Sequence, residues 1–489
     1  VGTDDGNVQL TRDGGKTWTN FRGKIPGMPL GVWIQQVHAG RHNAGEAFVV
    51  ANDYRRGDFR PYIFRTTDYG RTWTRLVDDR KVRGYTLSLV QDPVQPNLFF
   101  VGTEHGLWVS FDNGATFQQW KNGYPQVSTF DMVIQEREAD LVIGSFGRSV
   151  WVLDDIRPLR QLAANNGRLF KKSLTAFSSP DAYQVQYKPA PGYDWSNWGL
   201  WDAENRRRGA QVSYYLTPGP SPKTDGSKGS LSDTSARSAR MDSITVRIYN
   251  DKNELIRNLK WKVDTGFNRQ WWGMEERGFR FPGAPRPRPG APEPVGLQVF
   301  PGTYKVVLTL SRDSDSTMVT IKDDPRLNKT FEVRQAQRRM LDRLRNSTER
   351  LTTAMDRLSE SEEVLSKLQT QIAGMEGKEY DSLRKATTLM RDSITKIREF
   401  ISGKRSERQG IVRPATVTVM NTIQTAQQYI TSKSVAPGAQ EEALVKNAEQ
   451  MINQAVQRTN QFYSTAWTNY RRHVEGTRIG LFKDYQPIE

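Results

Sequence analysis

There is no cysteine anywhere in the 489 residues. Disulfides, thiolate nucleophiles and Cys-ligated zinc are excluded at once. Absence of cysteine fixes no compartment, but it fits an extracytoplasmic bacterial protein that dispenses with disulfides. Histidine is nearly as scarce, with only His38, His42, His105 and His473. His38 and His42 have the i,i+4 spacing of a helical metal pair, yet Gly40 and Gly45 make that stretch a loop. The sequence therefore points to no metal and no cofactor. No apolar run approaches the ~18 residues needed to span a bilayer, and no signal-peptide pattern is visible. Mean hydropathy is −0.68. Charge of one sign is in excess: the net charge is +16. Basic residues are nevertheless spread through every segment and interleaved with acids, and the longest run is Arg206-Arg207-Arg208. That reads as a solvated surface, not as a nucleic-acid or membrane patch.

Three stretches recur. Thr11 to Trp18, Thr66 to Trp73 and Ser110 to Phe117 all fit Ser/Thr-x-Asp-x-Gly-x-Thr-Trp/Phe. The motif positions are Asp13, Gly15, Thr17 and Trp18; Asp68, Gly70, Thr72 and Trp73; and Asp112, Gly114, Thr116 and Phe117. Each reads as a hairpin turn. The aspartate caps backbone N–H groups, glycine supplies a positive φ, and the threonine and aromatic start the returning strand and pack underneath. The boxes sit in a longer repeat. Val1-Gly2-Thr3 with Gly6 precedes the first, and Val101-Gly102-Thr103 with Gly106 precedes the third. A boxless fourth copy runs from Ile143-Gly144-Ser145 through Gly147. The box aspartates stand roughly 50 residues apart, which suits β-propeller blades.

The motif resembles the Asp-box, or BNR repeat, of sialidases, xyloglucanases and sortilin-like propellers. The stretch Asp140 to Arg160 is similar to the end of the propeller in large bacterial sortilin-like proteins of the Bacteroidota type, which often carry a glycosyl hydrolase label. The resemblance implies an order of propeller, linker, β-sandwich and helical C-terminal region. It departs from animal sortilins, whose cysteine-rich module cannot exist here.

Taken in order, residues 1–160 are expected to be the C-terminal blades of a larger Asp-box propeller, about three and a half of them. An open arc leaves bare strand edges. The first half of the ring is therefore expected on preceding sequence of the same precursor or on a separate chain. Residues 161–240 read as a connector with a low-complexity loop, and Trp195, Trp198 and Trp201 within it are candidate stacking residues for a ligand. Residues 241–333 read as an Ig-like β-sandwich, with the Pro/Arg-rich Phe281–Pro294 as a stiff exposed loop. Residues 334–489 show apolar positions at three- and four-residue steps, with breaks at Gly374–Gly377 and Pro437-Gly438. They read as an α-helical bundle of four helices.

The box aspartates sit at turns, so they read as structural. A glycosidase needs two carboxylates facing each other across a cleft. Asp4, Asp5, Glu104, Asp131 and Asp154 are loop candidates, but no spacing selects a pair. Asp154-Asp155 reads better as a cap on the chain's exit from the ring. No catalytic residue is assigned. The expected function is extracytoplasmic, in the periplasm, at the outer-membrane surface or secreted. It is that of a binding or scaffold protein recognising protein, peptide or glycan, with protein partners in an outer-membrane or cell-surface complex and no nucleic acid. The alternative is a glycoside hydrolase with a carboxylate pair at the propeller centre.

Overall fold

The computed structural model describes residues 1–168, 172–185, 206–217, 243–288, 290–404 and 417–479. Its first two-thirds are β-sheet and its last third is helical. Trp195, Trp198 and Trp201 lie outside the described residues.

The N-terminal part is a propeller-like arc of short antiparallel sheets. A two-stranded piece, β1 (Gln9–Leu10) and β2 (Thr19–Asn20), comes first. Two four-stranded meanders follow. The first is β3 (Trp33–Ala39), β4 (Ala47–Asp53), β5 (Asp58–Thr66) and β6 (Thr74–Arg75). The second is β7 (Thr86–Gln91), β8 (Phe99–Thr103), β9 (Gly106–Ser110) and β10 (Gln118–Trp120). A three-stranded meander, β11 (Thr129–Gln135), β12 (Asp140–Ser145) and β13 (Val150–Leu153), ends the series. Helix α1 (Arg157–Ala164) follows.

Strands in the middle of this series are apolar on both faces because both faces are covered. Phe48, Val50 and Ile63 of the first meander share a core with Leu89, Phe99 and Val101 of the second. Val90, Phe100 and Val109, on the other face of the second, share a core with Met132, Ile134, Leu141 and Ile143 of the third. Leu159 and Leu162 of α1 close that same core from below, and Arg160 Nε reaches the fully buried Asp92 at 2.9 Å. The first body thus runs a few residues past the boundary at 160 drawn from sequence.

The box turns hold the meanders' outer strands. In the second, Asp68 Oδ1 accepts from Thr72 N at 2.9 Å and Asp68 Oδ2 from the Thr72 hydroxyl at 2.6 Å, while Gly70 N donates to Thr66 Oγ1 at 2.8 Å. The same set recurs around Asp13 and Asp112. Gly70 has φ +85°, and a Cβ there would sit 2.4 Å from Phe21 Cζ, so conformation and space both require glycine. Trp73 stands edge-on to Phe21 at 5.7 Å, and Phe117 lies against the core between the first two meanders. Trp18 departs from the expected packing. It is 47% exposed and folds back to donate to Gly15 O at 3.1 Å.

The next body is a two-sheet sandwich that begins earlier than residue 241. Its strands are β14 (Leu174–Ala176), β15 (Ala182–Gln184), β16 (Ala210–Leu216), β17 (Ser243–Tyr249), β18 (Leu255–Lys262), β19 (Gly266–Trp272), β20 (Glu275–Arg277), β21 (Val295–Gln298), β22 (Gly302–Leu310) and β23 (Asp313–Asp323). One sheet has the order β15-β23-β22-β17-β18 and the other β14-β16-β19, with β20-β21 as a small ribbon. Segments read from sequence as connector therefore supply three sandwich strands. Val212, Tyr214 and Trp272 of one sheet meet Val246, Val306 and Val319 of the other. The Pro/Arg-rich loop after β20 is also docked, not free. Phe281 joins the helical core, and Arg280 and Arg286 pair with Asp356 and Glu360.

The helices are α2 (Phe331–Ile372), α3 (Lys378–Ser402), α4 (Val419–Thr431), α5 (Ala439–Phe462) and α6 (Thr468–Gly476). Leu344, Leu351, Leu358, Leu365 and Ile372 form a seven-residue repeat on α2 and are almost wholly buried against the other helices, as a coiled-coil-like seam requires. A π turn at Tyr463–Trp467 joins α5 to α6 where one helix was expected. The Thr468 hydroxyl bonds Tyr463 O there at 2.8 Å.

Two outcomes follow. Phe99 is fully buried and edge-on to Phe48 at 5.4 Å, so Phe99→Ala should cost about 3–5 kcal/mol in urea denaturation. Asp13 is held at about 2, below the ordinary 3.8, first by the Thr17 N–H and then by its hydroxyl. Asp68 is held at about 2 by the Thr72 hydroxyl and then its N–H. A depressed folded pKa gives stability that is present above the unfolded value and lost as pH falls through the folded one. The melting temperature should drop between pH 4 and 2, and an Asp13→Asn, Asp68→Asn double variant, less stable at neutral pH, should show a shallower drop in that window.

Candidate functional site

A groove of ≈ 1710 Å³ lies where the β11–β13 sheet, the sandwich and the start of α2 meet. The turn after β13 organises one wall. Asp155 has φ +49° and is buried. Its N–H donates to Asp140 Oδ1 at 2.9 Å, and its carboxylate accepts from Arg157 Nη1 at 2.8 Å and Gln211 Nε2 at 2.7 Å. Its carbonyl accepts from Arg269 Nη2 at 3.1 Å. Gln211 and Arg269 belong to β16 and β19, so this one residue ties the arc to the sandwich.

Arg206 gathers three acids of this wall. It pairs with Asp140, with Glu138 at 3.1 Å and with Asp154 at 3.4 Å. Burial alone would lower its pKa, but Asp140, Asp154 and Glu138 together push it above the ordinary value. Next to it, the Arg207 guanidinium lies 5.0 Å over the ring of Trp271. Trp151 of β13 and Tyr183 of β15 also line the groove.

The opposite wall is basic and less well compensated. Arg334 on α2 donates to Gln184 Oε1 at 2.9 Å and pairs with Asp323. Its Nε is buried with no partner among the described residues, and burial pushes its pKa down. Lys329, just before α2, is half-buried, and burial pushes its ammonium below the usual lysine range. Among the described residues no carboxylate pairs with it. Arg338, one turn along α2 from Arg334, is taken up by Glu276 and Asp342.

The loop acids considered from sequence are not brought together. Asp154 lines the groove. Asp5 is occupied by Thr3, Asn7 and Arg22 in the first hairpin. Glu104 lies 3.5 Å from His105 in the turn after β8. Asp131 accepts from its neighbour Met132 N on β11, and Asp4 is exposed in the first turn. His42 bonds Asp92 O at 2.8 Å and His38 lies against Phe48, so both rings serve packing. Sequence reasoning missed Arg206, Lys329 and Arg334. The one available signal was the Arg206-Arg207-Arg208 run, which read as surface.

No family model matches the chain, and no curated protein matches it. Among solved structures, it is similar to the GH74 enzyme of Niastella koreensis at 18% identity and a TM-score of 0.22, covering 38% of this chain and 28% of that one. It is also similar to the GH74 xyloglucanase of Xanthomonas campestris at 13% identity and a TM-score of 0.27, covering 65% of this chain and 41% of that one. The chain spans less than half the length of either.

The Arg206 cluster sets a stability test. Arg206 is half exposed and Asp140 is 11% exposed at its side chain, so Arg206→Gln should cost about 1–2 kcal/mol, between the values for exposed and buried pairs. Chemical denaturation should show the loss, and 1 M salt should narrow it.

Proposed function

We propose that this chain is part of an extracytoplasmic binding protein whose groove takes an acidic glycan. In this reading the arc is the C-terminal part of a sortilin-like Asp-box propeller and the sandwich is an Ig-like module. The protein then serves an outer-membrane or cell-surface complex. The observation that carries the ligand class is Lys329, a half-buried cation that lines a large open groove with no carboxylate partner among the described residues. A buried cation without a partner is costly, and a ligand carboxylate would remove that cost. Trp271 and Tyr183 offer apolar faces for sugar rings beside that charge.

A glycoside hydrolase is the second reading. It is favoured by Glu138 and Asp154, which reach Arg206 from the same groove wall. Both acids are bound to one arginine on one side, whereas hydrolysis needs a pair flanking the scissile bond. Binding is therefore the better account.

The test is calorimetric titration of the protein with polygalacturonate, with neutral dextran as control. Polygalacturonate should bind and dextran should not, and Lys329→Ala should weaken binding by roughly 10-fold or more, the size of a charge-assisted hydrogen bond. Equal binding of both polymers, or of neither, refutes the acidic-glycan reading, and binding of polyglutamate alone replaces it with an acidic peptide. Release of reducing ends that falls with Glu138→Gln or Asp154→Asn would move the function to hydrolysis.

A further inference from the structure

The outer face of the sandwich's five-stranded sheet is basic and carries no acid among its outward positions. The pairing register lays that face out in rows across β18, β17, β22 and β23. Leu255, Tyr249, Lys305 and Met318 form one row, and Asn258, Arg247, Val307 and Ser316 the next. Lys260, Thr245, Thr309 and Ser314 form the third, and Lys262 stands opposite Ser243 beyond it. The alternate positions, among them Val246, Ile248, Val306 and Val319, are buried in the core between the two sheets. The rows therefore lie on the side turned away from the other sheet.

Arg247, Lys260, Lys262 and Lys305 are exposed, and among the described residues none of them pairs with a carboxylate. Lys322, further along β23, pairs with Asp181. The acids nearby are spent elsewhere. Asp315 turns inward to accept from Ala176 N, and Glu293, at the β18 edge, accepts from Asn258 N. Asp251, Glu254 and Asp313 stand at the strand ends. Arg247 has Lys260 and Lys305 as diagonal neighbours across the two adjoining strands, a separation of roughly 7–8 Å. Opposite charges placed so would stabilise the sheet and like charges oppose it, so folding alone does not ask for this arrangement. Lysines on an edge strand such as β18 guard against strand addition. Arg247 and Lys305 are on central strands, where no such guard is needed. Leu255 and Met318, in the same row as Lys305, are each 53% exposed, so the described residues leave this face open.

We propose that this face docks on an anionic lipid bilayer surface. Charge complementarity is the argument. A sheet face presents its cations on one broad surface, which matches a plane of headgroup phosphates better than it matches a small ligand. Leu255, Tyr249 and Met318 stand between the cations, where amphipathic and apolar side chains enter the headgroup region. Each Lys or Arg held near such a surface strengthens attachment roughly fivefold. Among the described residues no helix is long and apolar enough to cross a membrane, and peripheral docking of this kind needs none. The site is separate from the groove, because none of Arg247, Lys260, Lys262 and Lys305 lines it. Strand alternation explains why the face makes no run in the sequence. Its cations fall at alternate positions on three strands, and only the pairing of those strands collects them.

The test is vesicle flotation with the 489-residue chain. Vesicles of phosphatidylcholine carrying roughly a third phosphatidylglycerol should bind it, and vesicles of phosphatidylcholine alone should not. An Arg247→Gln, Lys305→Gln double variant should bind the anionic vesicles roughly 25-fold more weakly, two steps of about fivefold. A Lys385→Gln, Lys396→Gln double variant removes the same charge from the exposed side of α3 and should stay within roughly twofold of the unsubstituted chain, since screening confines the attraction to about 8 Å. Lys329→Ala, at the groove, should bind these vesicles as the unsubstituted chain does, which keeps this result apart from the glycan titration. Failure to bind the anionic vesicles, equal binding to both kinds, or equal loss in the two double variants overturns the proposal. Binding to a DNA duplex that the Arg247 and Lys305 changes remove, with the vesicles left unbound, overturns it in favour of nucleic acid. Lysine acetylation of the unsubstituted chain gives a reading that depends on no variant. Lys260, Lys262 and Lys305 should react more slowly on anionic vesicles while Lys385 does not, and unchanged rates at those three on bound vesicles overturn the proposal.

Discussion

Covering both faces of short sheets is the constraint on which the N-terminal arc depends. A strand such as β8, with Phe99, Phe100 and Val101 all fully buried, has no polar face to give to water. An isolated meander of three or four short strands is marginal in water. Each one here gains its stability from the elements packed against it, and the box turns cost little once that stacking is in place. The turns fix where the outer strand returns. The stacked Val and Phe side chains supply the hydrophobic driving force, at about 25 cal/mol per Å² of apolar surface removed from water.

That division explains what could be read from sequence. The box turns are local: three side chains within eight residues close on themselves, and their hydrogen bonds repeat three times. The helical seam is local too, since leucines at every seventh position announce it. The sandwich was only half legible. β17 alternates cleanly, but β14 and β15 are three residues each, and β15 pairs in parallel with β23 far along the chain. The Asp315 carboxylate accepts from Ala176 N across 139 residues. A strand that short has no period to detect, and its membership is decided by a partner that spacing cannot show.

The groove was illegible for the same reason. Its wall is made where Asp140 and Asp155, at the end of one fold, meet Gln211 and Arg269 from the next. Arg206 and Asp140 stand 66 residues apart, with nothing in the intervening pattern to pair them. The sequence did indicate that Asp154-Asp155 marks the chain's exit from the arc. The structure adds that Asp155 holds the exit by accepting from Arg157 and Gln211 at once. A residue that reads as a cap is also the joint between two bodies.

The joint and the groove divide the charge between them. Asp155 and Arg269 spend their hydrogen bonds on holding the arc to the sandwich. Arg280 and Arg338 hold α2 to the sandwich side through Asp356 and Glu276. Those pairs are largely shielded from solvent, so breaking one leaves a buried charge behind and the arrangement is stiff. Arg206 is different, because half of its side chain faces water, and Lys329 differs further in having no described carboxylate. The pairs that join the bodies thus cancel within themselves, and the excess of +16 rests on cations that have no such pair, Lys329 at the groove among them.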